Sequence, residues 1–112
     1  MGTCDMEEVV LCGASCYSKK FYINEMFSGL PRDVRDELKI MCVLYTEDVG
    51  GTIQLVYDEN GDLIFKTDHN EDDLLFDEIG SELKIRQYQR EKKDLLEKLQ
   101  NFYKIGHEGG LF

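Results

Sequence analysis

Alternation of apolar and polar positions is clearest between Thr52 and Thr67, where Ile53, Leu55 and Tyr57 fall two apart, Asn60-Gly61 follows, and Leu63, Phe65 and Thr67 resume the same period. A period of two puts those side chains on one face of an extended chain. Asn-Gly is a strong hairpin signal, because a type I′ turn needs positive φ at both central residues. The spacing therefore predicts an antiparallel β-hairpin with strands over about 52–58 and 62–67. An added N-terminal strand is expected at Glu8-Val9-Val10-Leu11-Cys12, β-branched and stopped by Gly13. A further extended run at Lys20 to Asn24 competes with one turn of helix built on Cys16, Tyr17, Lys20 and Phe21.

The period lengthens on either side of the hairpin. Val34, Leu38, Met41 and Tyr45 recur every three or four residues, with Cys42 widening the face, so a helix is predicted over about 31–47. Pro31, the only proline, suits its first turn; Asp33, Asp36 and Glu37 match the positive end of the helix dipole, and Gly50-Gly51 ends it. A long C-terminal helix is predicted over about 72–104, opened by Asp72 or Asp73, with Leu75, Ile79 and Leu83 on one face. From there Tyr88, Lys92, Leu95, Leu99 and Phe102 form a heptad seam interrupted by one lysine. The fold class is α+β, with the hairpin packed against both helices in one domain over 1–112 and flexible ends at about 1–7 and 106–112.

Composition narrows the function classes. With 42% apolar residues and no tryptophan, the chain fills a core with leucine, tyrosine and phenylalanine. No run approaches the roughly 20 apolar residues of a membrane helix and no secretory leader is recognisable, so a cytoplasmic protein with reduced thiols is expected. The net charge of −10 argues against nucleic acid as a partner. Charge is unevenly placed, however, since residues 84 to 104 carry seven basic and three acidic side chains.

Chemistry-bearing groups are sparse. Cys12 and Cys16 flank a Gly-Ala-Ser turn and are the weak candidates for a metal or a reactive thiol, with Cys4, His69 or His107 as further ligands; their spacing is not that of a zinc knuckle. Asp58-Glu59-Asn60-Gly61-Asp62 resembles the start of a calcium loop, but its glycine falls two places early and His69 stands where the twelfth-position glutamate belongs. The acidic cluster Asp68, Glu71, Asp72, Asp73, Asp77 and Glu78 reads as a dipole-matched helix entry. No catalytic residues and no cofactor are assigned.

Two dense stretches have a distinctive wording: Phe27-Ser28-Gly29-Leu30-Pro31 with Asp36 to Glu47, and Asp77-Glu78-Ile79-Gly80-Ser81-Glu82-Leu83-Lys84-Ile85. They resemble an uncharacterised family, a domain of unknown function, of small acidic proteins from anaerobic clostridia. That resemblance implies a bacterial cytoplasmic setting and brings no catalytic residues with it. The reading these observations favour is a non-enzymatic interaction or regulatory module, with a homodimer through Tyr88, Leu95, Leu99 and Phe102 as its specific form. The alternatives are a metal- or thiol-dependent protein using Cys12 and Cys16, or a small-ligand binder or enzyme whose site assembles only in the fold.

Overall fold

The computed structural model describes residues 8–108, with side chains described as far as residue 105. The β-branched run near the N-terminus forms β1 (Val9–Ser15), which turns back into β2 (Lys20–Ile23). A short 3-10 helix, Glu25–Phe27, leads to α1 (Arg32–Val49), followed by β3 (Thr52–Tyr57), β4 (Leu63–Asp68), α2 (Glu78–Glu91) and α3 (Lys93–Glu108). The strands make one antiparallel sheet in the order β2-β1-β3-β4, and the fold is α+β as its patterning predicts.

The hairpin pairs in the expected register, with Ile53 opposite Thr67, Leu55 opposite Phe65 and Tyr57 opposite Leu63. Its turn differs. Gly61 alone adopts positive φ (83°), while the Gly61 amide donates to the Asp58 carbonyl and the Asp58 amide to the Asp62 carbonyl. This is a three-residue loop with a left-handed glycine rather than a type I′ turn. The Asp58 carboxylate stabilises it by accepting from the Asn60 and Asp62 amides at 2.9 and 3.0 Å.

β1 runs through Gly13 instead of stopping there. An alanine Cβ at that position would lie 2.8 Å from the Tyr22 hydroxyl oxygen and 3.0 Å from the Ile53 carbonyl, so the glycine marks a close approach between neighbouring strands. The register also shifts between Val10 and Cys12; Leu11 is the extra residue, and both Leu11 and Cys12 are fully buried. Lys20 to Ile23 forms the extended alternative, pairing with β1.

The C-terminal half departs most from expectation. Residues 72–77 form turns, and α2 begins one residue after Asp77, whose carboxylate accepts from the Gly80 amide at 2.8 Å. Leu75 therefore lies off the helix, and Ile79 and Leu83 are 75% and 60% exposed because Ser81, Ile85 and Tyr88 supply the inward face. The helix is also broken at Lys92, where φ is −103° and ψ 19°. The seam changes phase there: Leu96 and Leu99 are buried below the break and Tyr88 above it. The expected flexible ends fall partly on residues 1–7 and 109–112, outside those described, while α3 continues through residues 106–108.

Candidate functional site

β4 is the last strand of the sheet, and antiparallel pairing alternates which residues bond to the neighbour. Because Asp58 and Asp62 bond across the hairpin end, Ile64, Lys66 and Asp68 direct their amides and carbonyls toward β3, whereas Leu63, Phe65 and Thr67 direct theirs away from it. Leu63 confirms the phase: its amide donates outward, to Gln100 Oε1 at 2.9 Å. Further along, Phe65 and Thr67 border a groove of about 580 Å³ whose other wall is α2. Phe65, Phe76 and Ile85 form its apolar part, and Asp68, Glu78, Glu82 and Arg86 its charged part.

The segment between β4 and α2 is anchored by specific bonds. Tyr17 Oη donates to Asp73 at 2.5 Å and accepts from the Asn70 amide at 3.0 Å, tying this segment to the β1–β2 turn. The hydrogen bond to Asp73 raises the Tyr17 pKa and lowers that of Asp73. His69 stacks on Phe76 at 4.2 Å between ring centres, at the mouth of the groove. Of the acidic cluster, Asp73 is engaged locally with Tyr17 and Asp77 with the helix start.

The structure separates the two candidate cysteines. Cys12 is fully buried beside Cys42 of α1; hydrogen bonding to that thiol, together with burial, pushes its pKa far above the ordinary range, so it is a neutral core thiol. Cys16 sits half-buried beyond the end of β1, in a cleft against α1. Cys12, Cys16 and Cys42 are all free thiols. Among the described residues no three His, Cys, Asp or Glu side chains are grouped as metal ligands would be; Cys4 and the His107 side chain lie outside those described.

The heptad seam faces inward. Tyr88 and Leu99 are buried, and Leu95 and Phe102 pack partly buried against the same core. Tyr88 donates to the Met41 carbonyl at 3.0 Å, and its burial pushes its pKa up to about 12. The basic surplus of this half has a structural use as well. Lys84 pairs with Asp48 at 2.6 Å, Lys92 with Glu37 at 3.1 Å and Lys104 with Asp62 at 3.4 Å, fastening α2 and α3 to α1 and the hairpin loop.

The groove could not be read from the chain because its walls come from residues 65–69 and 76–89, joined only by the packing of α2. Its one sequence signal is the alternation that makes β4 a strand at all. Among the described residues no helix is long and apolar enough to cross a membrane. No curated protein and no solved structure matches the chain. The model of a family of unknown function (DUF6145) matches residues 8–110, and the chain belongs to that family.

Proposed function

We propose that the protein is a non-enzymatic interaction module of the bacterial cytoplasm that takes an extended segment of a partner protein along the outer edge of β4. The observation that carries this reading is the pair of outward-directed backbone positions, Phe65 and Thr67, bordering a groove walled by α2. An exposed strand edge offers a ready row of donors and acceptors, and an adjacent groove gives alternate side chains of the added strand a place to bind. Asp68, Glu78 and Glu82 against Arg86 make the lining acidic, which favours a segment carrying lysine or arginine.

A second copy of the chain is the other occupant with an observation behind it. Antiparallel pairing of two β4 edges about Thr67 places each Lys66 opposite Asp68 of the other copy, two opposite-charge pairs from one register. The homodimer expected from the helical seam moves, in this form, to the sheet edge, since Tyr88 and Leu99 are occupied by the chain's own core.

Thr67→Pro tests the reading, because it removes an outward amide while leaving the β3 ladder its donors. A fluorescent hexapeptide of alternating valine and lysine should bind the wild type, and the variant should bind it about tenfold more weakly at an unchanged melting temperature. Sedimentation velocity on the same two proteins distinguishes self-pairing. Equal peptide binding and equal association state in both would contradict strand addition.

A further inference from the structure

At the opposite end of the sheet order, where β1, β2 and α1 meet, lies a cleft of about 630 Å³. Ala14, Phe21 and Val43 contribute apolar surface to it, while Lys19, Lys20 and Lys39 line it with Glu47 as the one carboxylate. In a chain with a net charge of −10 this is a local reversal of sign. Among the described residues none of the three lysines forms an ion pair, whereas Lys66, Lys84, Lys92 and Lys104 do; Lys93 and Lys98 are unpaired as well, but they stand apart from this cleft. Cations that have no protein counter-ion around a partly enclosed cleft attract an anion from solution.

The backbone adds an independent observation. Lys19 has φ 55°, the only described non-glycine residue in the left-handed region, and it sits in the turn closed by the Lys19 amide and the Ser15 carbonyl at 2.9 Å. Glycine or asparagine suits such a position better than lysine. A lysine held there at a conformational cost, with its side chain on the cleft, is the pattern expected where the charge is needed for binding. Ser15 Oγ accepts from the Tyr17 and Ser18 amides at 3.1 and 3.4 Å, which leaves its own proton free to donate.

We propose that this cleft binds a small soluble phosphate ester with an apolar or aromatic body. Three ammonium groups against one carboxylate match a doubly charged phosphate. Lysine serves phosphate well as a point charge, without the planar fork that selects carboxylates. Phe21 and Val43 offer the surface on which the rest of the molecule rests, and the volume falls within the range of small-molecule sites. The site is separate from the β4 groove and does not depend on it.

The test is calorimetric titration of the full chain with adenosine 5′-monophosphate and with adenosine, at low ionic strength, where surface charge is least screened. The monophosphate binds one molecule per chain and adenosine does not. Lys39→Gln weakens the monophosphate about tenfold, the loss of one charge-assisted contact. Lys19→Gly weakens it similarly while its melting temperature stays level or rises, since glycine relieves the turn. No binding of the monophosphate, equal binding of adenosine, or affinity unchanged in both variants would overturn the proposal.

Discussion

Tyr57 of β3 donates its hydroxyl proton to the main-chain carbonyl of Leu99, 42 residues later in α3, at 2.8 Å, inside the core. The Tyr57 ring also stacks on Tyr103 at 4.1 Å between centres and 11° between planes. Strand and helix are thus joined by a bond and a ring pair on the side of α3 that a helical dimer would have needed. Tyr57→Phe should lose about 1 kcal/mol of unfolding free energy in urea denaturation, because the helix still bonds that carbonyl in part. Leu99→Glu buries an unpaired charge, and it should leave the monomer unfolded or destabilised by several kcal/mol rather than merely dissociated.

Gly13 lets β1 and its neighbours approach. Gly13→Val should cost about 1–3 kcal/mol, since the added atoms meet the Ile53 carbonyl and push aside the Tyr22 ring. The displacement also breaks the 2.7 Å bond that Gln54 donates to Tyr22 Oη. A variant as stable as wild type in the same denaturation would contradict this packing.

Asp77 caps α2, and Asp77→Ala should cost about 1 kcal/mol, with Asp77→Asn recovering most of it. The readout is the urea midpoint at constant slope, since the cap does not change the surface exposed on unfolding.

Burial raises the tyrosine pKa values of the core: Tyr88 to about 12, and Tyr57 beyond that. A pKa higher in the folded than in the unfolded chain means the native state holds its proton more tightly. The contribution is complete below the ordinary value of 10.0 and is lost as pH rises through about 12. Unfolding free energy should therefore fall across that window, with phenolate absorbance appearing together with loss of structure. Tyr88→Phe should show a shallower decline, and an identical slope would contradict the assignment.

The elements most legible in the chain were those with an unbroken period. Ile53, Leu55 and Tyr57 mark β3 to within a residue of its observed end, and Val34 to Tyr45 mark the body of α1. Where two periods competed, the outcome depended on contacts distant in sequence. The seam through Lys92 reads as one continuous helix, whereas the chain breaks at Lys92 with Tyr88 and Leu99 buried on either side of the break. Gly13 reads locally as a stop, and only the approach of Tyr22 and Ile53 makes it a strand residue. The two candidate sites were hidden for the same reason. The β4 groove draws Phe65 and Ile85 together, and the lysine cleft Lys19 and Lys39, across 20 residues in each case.

The open edge of β4 can be tested without any partner by residue-resolved amide hydrogen exchange on the free protein. Pairing with β3 should protect Ile64, Lys66 and Asp68, while Phe65 and Thr67 between them exchange fast, an alternation that a covered edge would erase. Fast exchange at Phe65 and Thr67 in the monomer is the result strand addition requires; protection of those two equal to their neighbours, at a concentration where sedimentation shows a monomer, would contradict it.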